Sequence, residues 1–229
     1  MAAAVFAALD SGVAFQPCLA DGDRVAPGTL VAEMQGALQP LISGERVALN
    51  FLQHLSGIAT ATAGLVDLVR GYPVKILDTR KTTPGLRMLE KYAVRVAGGM
   101  NHRFSLADML LIKDNHIAAA GGIAEAIRRA RRHAPPYVRL EVEAETEAQV
   151  REALEAGADL IMLDNMSADE MRRMVALIAG RARLEASGNI NKENIVAIAA
   201  TGVDFISVGA ITHSTPALDL SMEITGYGR

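Results

Sequence analysis

Arg80, Lys81, His102, Arg103 and Lys113 each stand just behind a short apolar run, and a further cation, Arg46, lies on an earlier amphipathic stretch. Glu143 and Asp164 occupy the same kind of position, as do the small-residue loops Ser187-Gly188-Asn189 and Val208-Gly209-Ala210. Clustered Arg and Lys bind carboxylates and phosphates, Arg often through two parallel hydrogen bonds. Glycines let backbone N–H groups approach a phosphate closely. Two acids at neighbouring strand ends hold Mg²⁺ or ribose hydroxyls. Together these point to a polyanionic, phosphorylated, sugar-bearing substrate. Taken singly, most have a plain structural reading: Arg46 as a solvated helix residue, His102 as a loop histidine, Glu143 and Asp164 as partners of structural cations. Lys113 resists it, because a lysine ending a Met-Leu-Leu-Ile run faces an interior and needs an anionic partner. The joint placement carries the reading.

The elements that must position these groups are legible. Residues 11–44 are turn-rich, with Asp21-Gly22-Asp23, Pro27-Gly28 and Ser43-Gly44 separating brief apolar pieces such as Thr29–Ala32, a pattern that predicts small strands and hairpins. From Glu45 a helix is expected, with Val47, Leu49, Phe51, Leu52, Leu55 and Ile58 as its apolar surface. After about Tyr72, short apolar strands alternate with amphipathic helices. The strands are expected at Val74–Leu77, Met109–Ile112, Val138–Val142, Leu160–Leu163, Leu184–Ala186 and Phe205–Val208. Each runs into polar or small residues, and functional groups of α/β folds collect at the C-terminal ends of parallel strands. A weak repeat, Gly157-Ala-Asp-Leu-Ile-Met-Leu and Gly202-Val-Asp-Phe-Ile-Ser-Val, follows helices with capping-box starts at Thr146/Gln149 and Ser167/Glu170. Stacked βα units, closed as a barrel or left as an open sheet, give this pattern. The lack of a dinucleotide fingerprint favours the barrel.

Composition excludes several classes. Half the residues are apolar and 21% charged, an ordinary globular balance, and 26 acids against 23 Lys and Arg argue against a bulk-basic nucleic-acid binder. The single cysteine, Cys18, excludes an internal disulfide or a multi-cysteine zinc site, fits a reducing cytoplasm and reads as a small packing residue. No apolar stretch is long enough for a membrane span, and Met1–Asp10 reads as a helix entering the fold rather than a signal peptide. Walker A, GxGxxG and HExxH patterns are missing.

The segment Leu77-Asp-Thr-Arg-Lys-Thr-Thr-Pro-Gly-Leu-Arg87, followed by Glu90-Lys-Tyr-Ala-Val94, closely resembles the quinolinate phosphoribosyltransferases, also called nicotinate-nucleotide pyrophosphorylases (carboxylating). So do Gly99-Met-Asn-His-Arg103, Leu111-Ile-Lys-Asp-Asn-His116, Leu140-Glu-Val-Glu143, Met162-Leu-Asp-Asn-Met166, Leu184-Glu-Ala-Ser-Gly188 and Ile206-Ser-Val-Gly-Ala-Ile-Thr-His213. Glu45-Arg-Val-Ala-Leu-Asn50 and Leu55-Ser-Gly-Ile-Ala-Thr60 match the preceding helix, so the resemblance runs from about Ala4 to Leu220. It departs at Ala97, where relatives often have the first glycine of a triplet, and at Ser105, which replaces a common glycine.

The resemblance implies an α/β fold: an incomplete TIM-like α/β barrel with a smaller α/β sandwich domain. Relatives carry further residues ahead of the helix that Ala2–Leu9 represents, so the sandwich is expected to be shortened at its amino end. The domains are then 1–60, partial sandwich and connecting helix; 61–213, barrel with the active site; and 214–229, a segment returning to the sandwich. It further implies a homodimer with Arg46 reaching the partner's site. Arg80, His102, Arg103 and Lys113 would surround the two carboxylates of quinolinate. Thr79 belongs to the same binding segment. Lys81, Glu143 and Asp164 would hold phosphoribosyl pyrophosphate and Mg²⁺, and the loops Ser187–Asn189 and Val208–Ala210 the 5′-phosphate. Lys113, Glu143 and Asp164 would be the catalytic groups, and the products nicotinate mononucleotide, pyrophosphate and CO₂. Alternatives are a paralogous transferase acting on another ring, a Schiff-base aldolase using Lys113, and an inactive phosphosugar-binding scaffold.

Overall fold

The structure is a computed structural model and describes residues 1–226, so the last three residues of the expected 214–229 segment lie outside it. It opens with helix α1 (Ala2–Leu9), then strands β1 (Ala14–Pro17) and β2 (Ala32–Gln35) paired antiparallel, then a long helix α2 (Leu38–Leu68). Phe6 of α1 and Phe15 of β1 stack with centroids 6.3 Å apart, and Met34 and Met222 pack on the same small core.

Helix α2 corrects the expected boundary at Glu45, beginning seven residues earlier at Leu38. Pro40 is tolerated because it falls in the first turn, where no intrahelical N–H is needed. Ser43-Gly44 is not a turn. A Cβ at Gly44 would stand 2.8 Å from the Phe6 ring, so this glycine is where α1 crosses α2. The second hairpin strand likewise begins at Ala32 and not Thr29. Cys18 is exposed rather than packed, because it follows β1 on a two-stranded sheet too small to cover it.

The remainder alternates: β3 (Lys75–Leu77), α3 (Arg87–Val96), β4 (Leu110–Ile112), α4 (Asp114–Ala120), α5 (Ile123–His133), β5 (Leu140–Ala144), α6 (Glu147–Glu155), β6 (Leu160–Asp164), α7 (Ala168–Ile178), β7 (Arg183–Ser187), α8 (Ile195–Ala199), β8 (Phe205–Ser207) and α9 (Ala210–His213). The six strands β3 to β8 form one parallel sheet in the order β3-β8-β7-β6-β5-β4, and a parallel bridge from Leu77 to Met100 prolongs the β3 edge. This is an incomplete TIM-like α/β barrel beside a smaller α/β unit.

Register decides what each face carries. Ile76, Ile206, Ala186, Leu163 and Ala144 share one face and pack on the helices in the main core. Glu143, Met162, Glu185 and Phe205 share the other, with Glu141 two residues before Glu143 on the same side. The capping boxes at Thr146/Gln149 and Ser167/Glu170 are both formed. The repeated Gly-x-Asp has a matching job in each copy. Gly157 (φ 84°) and Gly202 (φ 94°) end their helices left-handed. The carboxylates of Asp159 and Asp204 then accept the N–H groups of Leu140 and Leu184 at 2.7 and 2.9 Å, pinning each strand's start to its neighbour.

After α9 the chain returns along α2: the Leu218 N–H donates to Gln53 O and the Gln53 side chain to Leu220 O, both at 2.9 Å. Gly57 makes this crossing possible, since a Cβ there would lie 2.2 Å from Pro216 O. Gly57→Ala should therefore cost about 1–3 kcal/mol through overpacking and make the chain beyond Ser214 more sensitive to limited proteolysis. An unchanged digestion pattern would show that the crossing bears no strain.

Candidate active site

The expected residues gather along the C-terminal ends of the six parallel strands, in sheet order. Lys81 follows β3, Val208–Ala210 follow β8, Ser187 ends β7, Asp164 ends β6, Glu143 lies within β5, and Lys113 follows β4. The β3 and β8 loops are tied together, with the Thr212 hydroxyl donating to Lys81 O at 2.8 Å and the Val208 N–H to Leu77 O at 3.0 Å. The Thr79 hydroxyl oxygen accepts from the Lys81 N–H at 3.0 Å and shapes that turn. A Cβ at Gly209 would meet the Lys81 stem at 3.2 Å, so glycine there leaves the lysine its path. At the β6 and β7 ends, Asn165, Gly188 and Asn189 are all left-handed, with φ of 54°, 98° and 49°. Strain of this kind in non-glycine residues collects at functional loops. Gly188 has no alternative, since a Cβ would lie 2.2 Å from the Asn165 Oδ1.

Lys113 has its anionic partner in Glu143, with which it forms an ion pair. Its own N–H is accepted by His116 Nδ1 at 3.0 Å, so the histidine of the Lys-Asp-Asn-His stretch caps α4. Arg80 and Arg103 are different. Neither has a carboxylate within ion-pair distance among the described residues, the Arg80 Nε is buried without a partner, and the Arg103 guanidinium donates to Met109 O at 2.9 Å. Burial, and next the neighbouring Arg80 charge, weaken Arg103's hold on its proton. Two partly buried cations side by side form a site for an anion. Arg46 stands apart: it is exposed on α2 near Glu45 at 3.7 Å, and no contact among the described residues ties it to the strand ends.

Beneath the arginines lies a group that sequence reading did not single out. Glu141 and Glu185 are fully buried on the inner face, and His102 Nε2 lies 3.1 Å from one carboxylate and 3.5 Å from the other. Burial, then the charge of Glu143, pushes the Glu141 carboxyl up to about 7; burial, then Glu141, pushes Glu185 up to about 8. Burial also lowers His102. The His102 ring therefore faces this floor, while its Nδ1 accepts the Arg103 N–H at 2.8 Å. The signal was the two-residue alternation, which puts Glu141 on the Glu143 face. Arg87 is a second such group. It donates to Thr82 Oγ1 and to the carbonyls of Phe104 and Arg80 at 3.0–3.3 Å, clipping the loops that bear both arginines.

These observations test the fit of a divalent cation. His102, Glu141 and Glu185 are the one group of three metal-type donors found among the described residues, but they lie under the sheet ends with no exposure on either acid. Mg²⁺ keeps several waters and binds through one or two carboxylates plus substrate phosphates. Glu143 and Asp164, partly exposed at the rim, suit that chemistry better.

Sequence models of the quinolinate phosphoribosyl transferase N-terminal and C-terminal domains match residues 1–56 and 58–223. A probable nicotinate-nucleotide pyrophosphorylase (carboxylating) of Bacillus subtilis is 52% identical over 220 residues, covering 96% of this chain and 76% of the relative. The crystal structure of NadC from Streptococcus pyogenes superimposes with a TM-score of 0.93 at 50% identity, covering 97% of this chain and 79% of that one. The nicotinate-nucleotide pyrophosphorylase of Francisella tularensis gives 0.93 at 45% identity, covering 96% and 78%. The chain belongs to the quinolinate phosphoribosyltransferase family.

The two departures from this family's pattern are accommodated. Ala97 caps α3 at φ −84°, where a side chain costs nothing, while Gly98 (φ 89°) is left-handed. Gly99 has no room, since a Cβ would lie 2.8 Å from Thr62 and Val94. The Ser105 hydroxyl accepts the Ala107 N–H at 3.1 Å and donates to Asp108 at 3.3 Å, closing the turn behind Arg103.

The floor acids give a pH signature. Folded, they keep protons that ordinary carboxylates of the unfolded chain release near pH 4.5. The native state then binds more protons than the unfolded one, so stability falls as pH rises from about 4.5 through about 8. Glu185→Gln, which keeps the shape and cannot ionise, should flatten that fall in Tm between pH 5 and 8.5. Parallel curves for the two proteins would remove the buried proton from the account.

Proposed function

We propose that this chain transfers the phosphoribosyl group of phosphoribosyl pyrophosphate to quinolinate with decarboxylation, giving nicotinate mononucleotide, pyrophosphate and CO₂ in de novo NAD biosynthesis. Family membership supports the reaction, and the observation that carries it is the neighbouring Arg80 and Arg103, neither of them ion-paired with a carboxylate among the described residues. A ring bearing two neighbouring carboxylates supplies direct ion-pair partners to these guanidiniums.

The pyridine nitrogen attacks the ribose C1 as the C1–oxygen bond to pyrophosphate breaks, through an oxocarbenium-like state. The ring nitrogen is then cationic and accepts electron density when the adjacent carboxylate leaves as CO₂; a proton replaces it. The protein's work is alignment and electrostatics. Arg80 and Arg103 grip the dicarboxylate from above the His102 floor. Lys113, held by Glu143, stands at the edge of the same site, and Lys81 faces the leaving pyrophosphate. The loops Ser187–Asn189 and Val208–Ala210 take the 5′-phosphate. Glu143 and Asp164 would hold Mg²⁺, which when bound neutralises pyrophosphate charge.

The same reading makes the protein a homodimer with Arg46 acting in the partner's site. In support, Arg46 is unengaged by its own strand ends, and Ile42 and Val47 beside it are 54% and 48% exposed. No helix among the described residues is long and apolar enough to cross a membrane.

Incubation with quinolinate, phosphoribosyl pyrophosphate and Mg²⁺ should release CO₂ and nicotinate mononucleotide, whereas nicotinate as the ring should not react; the reverse preference would overturn the assignment. Arg103→Ala should lower kcat/KM for quinolinate by about 10- to 150-fold, the worth of a charged hydrogen bond, with little change in the KM for phosphoribosyl pyrophosphate. Equal losses for both substrates would remove Arg103 from the quinolinate site. Mixing inactive Arg46→Ala and Lys113→Ala chains should restore part of the activity, and no rescue despite demonstrated subunit exchange would sink the shared site.

A further inference from the structure

His102 and Arg103 lie on an irregular stretch, not on a strand or helix, so something must fix them. Asp78, directly after β3, is fully buried, and Lys91 of α3 is nearly so, with a side chain 4% exposed. They form an ion pair whose further hydrogen bonds go to His102 and its neighbour Asn101. Asp78 Oδ1 accepts the His102 N–H at 2.8 Å, and Lys91 Nζ donates to His102 O at 3.0 Å. Asn101 closes the ring, donating to Asp78 Oδ2 at 2.6 Å and to Lys91 O at 2.8 Å. Both backbone groups of His102 are thus held by one buried pair, and the next residue is Arg103.

We propose that the Asp78–Lys91 pair is the positioning element that sets the angle of Arg103 against Arg80, and through it the affinity for the ring dicarboxylate. The pair does not reach the site itself. Replacing a buried ion pair by apolar groups is often tolerated by the fold, so stability alone does not call for this one. This one carries the backbone on which the recognition groups hang. A displacement of a positioned group by about 1 Å costs up to about a hundredfold.

The inference rests on the quinolinate reading above, and its test separates the two. Wild type and Lys91→Met would be compared by calorimetric binding of phthalate, a benzene dicarboxylate of the same spacing, and by steady-state KM for quinolinate and for phosphoribosyl pyrophosphate. Lys91→Met should weaken phthalate and raise the quinolinate KM by about tenfold or more, leaving the phosphoribosyl pyrophosphate KM within about twofold. Parallel rises in both KM values, or unchanged phthalate affinity, would overturn the proposal. Should Lys91→Met fail to fold, Asn101→Ala decides, since its side chain lies at the edge of the ring: a selective loss of several-fold in phthalate affinity supports positioning, and none overturns it. Wild type that binds phthalate but forms no nicotinate mononucleotide would refute the quinolinate reading, while the affinity ratio still judges the clamp. Wild type that binds no phthalate would refute both.

Discussion

Two guanidinium groups held near each other, partly out of water, repel, and neither is in ion-pair contact with a carboxylate among the described residues; Glu141, Glu143 and Asp108 offset the Arg103 charge only from a distance. Arg80 and Arg103 meet in this way, and much of the surrounding structure keeps them there. The Arg80 carbonyl and the Phe104 carbonyl are clipped by one guanidinium, that of Arg87. Arg103 is anchored through Met109 O and through the ring of His102. Such an arrangement is costly without an anion and favourable with one, the condition under which binding energy orients a substrate and is not spent ordering the site.

The parallel sheet can carry this charge because its two faces are separated by strict alternation. Ile76, Ile206, Ala186, Leu163 and Ala144 point to the helices and make the core, so stability does not depend on the inner face being apolar. Glu141, Glu143 and Glu185 occupy the residues between. The cost of burying the two deeper acids is met by keeping protons on them, and the shallower one by the Lys113 ion pair.

Most of the barrel was legible because its signals are local. Apolar runs, a capping residue and a following glycine each act within a few residues, and all six strands fall where the runs placed them to within two residues at either end. The amino-terminal region was less so. Ser43-Gly44 has turn composition yet lies inside α2, where the glycine admits the Phe6 ring, a contact between residues nearly forty positions apart. At the site, the rim residues were readable as strand-end charges. Glu141 and Glu185 were hidden within apolar runs, where two-residue alternation competes with the expectation of a continuous buried strand. Asp78, Lys91 and Asn101 were visible as motif letters without a role, because their meeting depends on how α3 and the Met100 bridge are laid beside β3.

Depth along one strand then explains why two identical side chains do different work. Glu141 and Glu143 share a face of β5, two residues and about 7 Å apart along the strand. Glu143 stands at the rim, partly exposed, where it meets Lys113 and is within reach of a hydrated cation. One layer down the same group has no water, and its neighbours are another carboxyl and a histidine. It therefore serves as a polar floor that orients His102. A site for a dicarboxylate beside a pyrophosphate needs both kinds of acid: charged ones where the metal and ribose must be met, and quieted ones beneath the arginines, where a full negative charge would compete with the substrate for the same cations.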